Sequence, residues 1–158
     1  MRYPRRVDDP LGRTLVGLQA TLFVALIGVP WLGAPTLALA PWWSALGGVL
    51  VLLGAALAVL GGVRLGRRLT PFPRPRPGHG LVTDGVYRYA RHPIYGGVLL
   101  IAVGWTFVRP SLATASVTLL LWLLLEAKSR YEERVLRNAH PAYDDYRRGR
   151  RRFVPFLY

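Results

Sequence analysis

The residues able to do chemistry in this 158-residue chain gather in two places. The first is the stretch from His79 to Gly97, where His79, Tyr87, Arg88, Arg91, His92 and Tyr95 stand among turn-forming glycines and a proline. The second runs from Lys128 to Glu133 and holds Lys128, Arg130, Glu132 and Glu133. Pro93 disfavours helical backbone at His92, so the chain there is extended or turned, and a helix begins at or just after the proline. A helix start offers free N–H groups and the positive end of a dipole to an anion. The first stretch therefore reads as a cofactor-binding loop. For Glu132-Glu133 two readings stand. Glu126/Arg130, Lys128/Glu132 and Glu133/Arg137 are all i,i+4 pairs, which fits a solvated helix held by weak ion pairs of a few tenths of a kcal/mol each. Alternatively one carboxylate turns back into a pocket and holds an ammonium or a sulfonium. The spacing does not choose between them.

Other chemistries are disfavoured. There is no cysteine, which excludes a thiol nucleophile, disulfides and cysteine metal sites. His79, His92 and His140 match no metal-ligand spacing, and no carboxylate sits at ligand distance in sequence beside them, so no metal is expected. The formal net charge of +13 suggests nucleic acid at first sight. The basic residues flank apolar runs, however, where membrane orientation and anionic lipid account for them. Arg88 and Arg91 have the same plain reading as anchors to lipid phosphate.

Composition then sets the elements that must position these groups. The chain is 52% hydrophobic, and charge is segregated from apolar sequence. From Thr14 to Val63 no residue is charged. A spanning helix needs about 20 apolar residues, so this run holds two. Ile94–Val108 and Ser111–Leu125 are also free of charge, each short for a full span. The basic start followed by an apolar run, with Ala38-Leu39-Ala40, imitates a signal peptide. The length of the run and Pro41 directly after the candidate cleavage site favour a retained first span.

The expected order is a basic tail over 1–13, span one over 14–33, a break at Gly33-Ala34-Pro35, and span two over 43–63 after an interfacial Trp42-Trp43 pair. Gly47, Gly54 and Gly61 recur every seven residues and make a seam for close helix approach, internal or between two copies. A proline-rich linker follows over 70–78, a stiff spacer in a membrane loop rather than an SH3-type ligand. Span three covers 94–108. Span four starts at Ser111 and runs into a charged helical extension ending near Asn138, before His140-Pro141. The fold expected is an all-α integral membrane protein of about four transmembrane helices, one domain over 1–158, with a cytoplasmic loop and a helical C-terminal extension. Of the 21 Lys and Arg residues, 20 fall in the N-terminal tail, the second loop or the C-terminal region, and Arg109 is the exception. The positive-inside rule puts those three regions, both termini included, on the cytoplasmic side, in a bacterial setting that of the inner membrane.

The motifs add a resemblance. His79-x-Leu81-Val82-Thr83-x-Gly85-Val86-Tyr87, then Arg91-His92-Pro93-x-Tyr95-x-Gly97, resembles the loop of the isoprenylcysteine carboxyl methyltransferase family. Glu132-Glu133-x-x-Leu136, Tyr143-x-x-Tyr146, the basic cluster and Pro155-Phe156 resemble that family's tail. The likeness covers roughly 70–158 and keeps order and spacing in both blocks. It implies a membrane enzyme that uses S-adenosylmethionine without a Rossmann domain. By position it implies cofactor contacts from His79, Gly80, Leu81, Val82, Tyr87, His92, Pro93, Ile94, Tyr95 and Glu132, with Glu133 as the neighbouring carboxylate. Where the family has a substrate-binding arginine, this chain has Lys128, and Arg130 is the nearby substitute. Lysine keeps the charge and loses the bidentate grip on a carboxylate. His140-Pro141 likewise stands where the family has Phe-Gly.

The implied activity is methyl transfer from S-adenosylmethionine to a lipophilic acceptor at the membrane, the carboxylate of an isoprenylated cysteine or a similar isoprenoid or lipid acid. A carboxylate nucleophile needs no general base, whereas an amine would lose a proton, to Glu133 or to water. The rival readings are a phospholipid N-methyltransferase, an NADPH-dependent sterol-type reductase and a non-enzymatic lipid-binding scaffold. The reductases share the Arg-His-Pro-x-Tyr loop but commonly carry an acidic residue where this chain has Gly97. Oligomeric state is not legible.

Overall fold

A computed structural model describes residues 9–32, 36–72 and 80–157. His79, the Gly33-Ala34-Pro35 break, the first eight residues and most of the proline-rich linker lie outside the described residues.

Helix α1 (Pro10–Gly28) starts where the Asp9 side chain accepts the Gly12 N–H at 2.9 Å and Pro10 occupies the first turn. It therefore begins earlier than the charge-free run suggested. It also ends earlier, passing into a 3-10 turn over Val29–Trp31. Pro30 has no N–H, so the Leu26 carbonyl loses its helical donor. The Trp105 indole N–H donates to that carbonyl at 2.9 Å, which ties α1 to the rest of the bundle.

Helix α2 (Pro41–Leu65) is also opened by a proline, and Gly66, at φ +52°, turns the chain out of it. Helix α3 (Pro93–Val108) runs antiparallel against α2. Ser111 and Thr114 cap helix α4 (Leu112–Ala139) reciprocally, each side chain bonding the other residue's N–H. The His140 N–H closes its last turn on Leu136 before Pro141 stops it. A short helix α5 (Tyr143–Arg147) and an irregular tail follow.

The glycine seam of α2 is used inside the chain. Gly47 faces Gly104 and Gly54 faces Gly97, so α3 carries a matching seven-residue glycine repeat. Backbones then approach as only small residues permit. A Cβ on Gly54 would lie 2.5 Å from the Gly97 carbonyl oxygen and 2.8 Å from the Ile101 nitrogen. Backbone atoms cannot swing aside, so Gly54→Ala is expected to destabilise the protein by about 1–3 kcal/mol. Gly48→Ala, with nothing within 4 Å of its Cβ, should be neutral. Thermal unfolding of the two variants in detergent checks this; equal melting of both would contradict the packing.

Three helical stretches, Pro10–Trp31, Pro41–Arg68 and Leu112–Ala139, are long and apolar enough to cross a membrane. At 16 residues, α3 reaches only about 24 Å. It is thus the shorter member of the α3–α4 hairpin and borrows no flanking helix. The outer faces of α1 and α2 expose Val24, Ile27, Leu52, Val59 and Val63, each more than half accessible, as lipid-facing residues do. The molecule is an all-α membrane protein. Its helices alternate in direction, so the start of α1, the end of α2, the start of α3 and the charged end of α4 meet at one end.

Candidate functional site

Two chain segments are zipped together to build the site. The loop before α3 makes a 3-10 turn over Gly85–Arg88, entered through Gly85 at φ +58°. Asp84 is held to the end of α2 by Arg64, with Nε 2.8 Å from Oδ1. The C-terminal tail lies along the loop. The N–H groups of Arg91 and His92 donate to the carbonyls of Arg151 and Arg152 at 2.9 and 2.8 Å, and the Arg151 N–H donates to Tyr89 at 3.2 Å. Phe153 is fully buried against Gly96, where any side chain would meet its carbonyl. The Tyr146 hydroxyl donates to the Tyr87 carbonyl at 2.7 Å, and burial pushes that phenol up to about 12, so it remains a donor.

The N–H groups of residues 91 and 92, just ahead of α3, are not free for an anion, because the tail carbonyls already use them. What the loop presents is side chains. The His92 and Tyr95 rings stack with centroids 5.4 Å apart and planes 3° from parallel. Tyr95 donates from its hydroxyl to Glu132 Oε2 at 3.0 Å, and His92 Nδ1 lies 3.6 Å from the same oxygen. On its other side, His92 Nε2 is 3.2 Å from Glu133 Oε1. One imidazole therefore bridges two consecutive glutamates.

The glutamates face different surroundings. Glu132 lines a cavity of about 370 Å³. Glu133 is 4% exposed and sits behind His92, with Arg91 Nε at 3.5 Å and Arg152 Nε at 3.7 Å. The solvated-helix reading therefore fails for Glu133 and holds for Arg130. The Arg130 side chain is 66% exposed, pairs with Glu126 at 2.9 Å, and does not line the cavity. Lys128 does line it and is only 2% exposed.

Of the positions singled out from sequence, Gly80, Leu81, Val82, Tyr87, His92, Ile94, Tyr95, Lys128 and Glu132 share this cavity. Pro93 instead packs at the head of α3 against the Gly61 position. His79 lies outside the described residues. Sequence reasoning missed Gln19 and Arg68, and it gave no role to His140, all three in the cavity wall. Gln19 carried a signal: it is the one amide side chain in the long charge-free run. Tyr143 closes the wall, and among the described residues its buried hydroxyl has no hydrogen-bond partner. Burial raises the Tyr143 and Tyr87 phenols well above the usual range, so both keep their protons. Among the described residues no group of three or more His, Asp or Glu is placed to hold a metal ion.

A model of the phospholipid methyltransferase family matches residues 42–142, nearly two thirds of the chain. The chain belongs to this family. The match takes in the loop, α3 and the Glu132-Glu133 pair, and leaves α1 and Tyr143 outside. A probable protein-S-isoprenylcysteine O-methyltransferase of Oryza sativa subsp. indica is 36% identical over 118 residues, covering 72% of this chain and 62% of the rice protein. A cobalt-zinc-cadmium resistance protein of Cupriavidus metallidurans is 38% identical over 117 residues, 73% of this chain and 52% of that one. The chain thus spans between half and two thirds of the length of these relatives. A solved eukaryotic intramembrane Ras methyltransferase, an isoprenylcysteine carboxyl methyltransferase, superposes with a TM-score of 0.65 over 96% of this chain and 55% of its own, at 22% identity. That likeness shows the fold. Within the family, the resemblance to the isoprenylcysteine carboxyl methyltransferases read from the motifs stands.

Proposed function

We propose that this single-domain protein transfers a methyl group from S-adenosylmethionine to the carboxylate of a lipophilic acceptor, an isoprenylated cysteine or a similar isoprenoid acid. The observation that carries the reading is one cavity that joins the His92–Tyr95–Glu132 cluster to a buried Lys128 ammonium. A negative and a positive group one turn apart in its wall suit a cationic donor and an anionic acceptor bound side by side.

The wall fits the cofactor. Its volume lies in the range of about 300–1,000 Å³ typical of small-molecule sites. Leu81, Val82, Ile94 and Leu136 supply apolar surface. The buried Tyr143 hydroxyl, without a partner among the described residues, is satisfied by a polar ligand atom or a water in the cavity, since a buried donor left unpaired is costly. When bound, the cofactor supplies an activated methyl group on a positively charged sulfur. Glu132, oriented by Tyr95 and His92, faces that positive charge or the amino group beside it. Lys128 draws in the acceptor's carboxylate. The residues then act by alignment and by excluding water, and the ionised carboxylate needs no general base. A phospholipid amine, suggested by the family's description, is the second reading; the buried Lys128 ammonium disfavours it by like-charge repulsion.

In the membrane, we place four helices with the site and both termini on the cytoplasmic face of the inner membrane, following the distribution of basic residues. Calorimetry on detergent-purified protein tests the cofactor. S-Adenosylhomocysteine is expected to bind and NADPH is not. The opposite result would replace this reading with the reductase one.

A further inference from the structure

Lys128 poses a problem that its neighbours do not solve. It is almost wholly buried on a helix that begins as an apolar span. Among the described residues no carboxylate lies within ion-pair distance of its ammonium. Its contacts are the Gln19 Oε1, which accepts from Nζ at 2.5 Å, and the Tyr95 ring, whose centroid is 5.3 Å away. The groups that touch this cation are neutral, and the Glu132 carboxylate, one turn along α4, acts on it only from beyond contact distance, which leaves positive charge in the cavity for a ligand to balance.

The chemistry of the pair sets its orientation. An ammonium only donates, so it takes the oxygen of the Gln19 amide. The amide's NH₂ must then point away from Lys128, and Gln19 makes no other hydrogen bond among the described residues. Both side chains line the cavity, from α1 and α4 respectively. They therefore offer two donors, one charged and one neutral, held together by their mutual bond. A carboxylate has two oxygens to receive them. An arginine presents such a fork from one guanidinium, and a lysine alone cannot.

We infer that Gln19 and Lys128 form a two-point receptor for the acceptor's carboxylate, with Gln19 the specificity-determining residue that restores what a lone lysine lacks. The inference rests on the methyltransferase reading and names the atoms by which that site would select an acid.

The test uses the detergent-purified full chain saturated with S-adenosylhomocysteine, and compares binding of N-acetyl-S-farnesylcysteine with binding of its methyl ester, which lacks the anion. The parent protein is expected to prefer the acid. Gln19→Leu should cut that preference by about tenfold, while affinity for the ester and for S-adenosylhomocysteine stays unchanged. Gln19→Leu combined with Lys128→Arg should restore the preference, because the guanidinium brings both donors itself. A merely structural glutamine would move ester and acid together and would not be rescued. No preference in the parent, or a preference untouched by Gln19→Leu, overturns the inference. Displacement of the acid by phosphatidylglycerol with the same Gln19 dependence assigns the receptor to a phosphodiester and also overturns it. If S-adenosylhomocysteine fails to bind the parent at all, the methyltransferase reading itself falls, a result distinct from the others.

Discussion

Detergent-purified Glu132→Ala protein is expected to fold and purify as the parent does, and to lose at least about 30-fold in affinity for S-adenosylmethionine. Glu132 is the carboxylate in the cavity wall, and its side chain is 27% exposed, so removing it leaves no enclosed void. Tyr95 and His92 hold one of its oxygens and leave the other to a ligand. Truncating one member of a desolvated charge pair typically costs about 2–5 kcal/mol of binding, which is why the loss should be large. Comparing two ligands locates the charge it meets. S-Adenosylhomocysteine keeps the amino group and lacks the sulfonium. Equal losses for both ligands put Glu132 at the amino group, and a loss confined to S-adenosylmethionine puts it at the sulfur. Unchanged calorimetric affinity for both would remove Glu132 from the site.

The adjacent Glu133→Ala should act on stability instead. Glu133 accepts from His92 and neutralises Arg91 and Arg152, all within 3.7 Å, in a setting almost closed to water. Deleting one partner of a buried ionic cluster leaves the others uncompensated, at a cost of about 3–5 kcal/mol. A fall in melting temperature of roughly 10 °C is expected for a chain of this size. Glu133→Gln should fall between the parent and Glu133→Ala, since it keeps a hydrogen bond to His92 and loses the charge. Arg152 belongs to the tail, so the loss should also loosen the zipper that joins the tail to the loop before α3. Faster proteolysis at the C-terminus would report that directly. A Glu133→Ala protein that melts with the parent would show that the cluster is not a structural one.

These two predictions separate residues that are neighbours in sequence, and that separation was not legible there. Glu132 and Glu133 differ by about 100° around a helix, and no local property says which of them faces a cavity. Arg130 and Lys128 posed the same problem. Both lie near the position of the family's arginine, and only the packing of α1 on α4 buries one and exposes the other.

The sequence by itself determined the elements. Charge-free runs marked the helices, because a membrane excludes charge. Pro93 marked the start of α3 and Pro141 the stop after α4, because proline tolerates only a first turn, whereas the start of α1 at Pro10 was not read from the sequence. It also determined the family, since the loop and tail motifs keep their order and spacing. Only the tertiary structure decided which surfaces meet. The α2 glycines were visible as a seam, yet their partner, the repeat in α3, emerged only when the two helices were laid antiparallel. The pairing of residues 89–92 with 151–152 spans some sixty positions of chain and has no local signature. Gln19 joins Lys128 from the other end of the molecule, 109 residues away. Helix starts and apolar runs are local consequences of backbone and solvent, whereas a binding site is made by side chains that only the closed bundle brings within hydrogen-bonding distance.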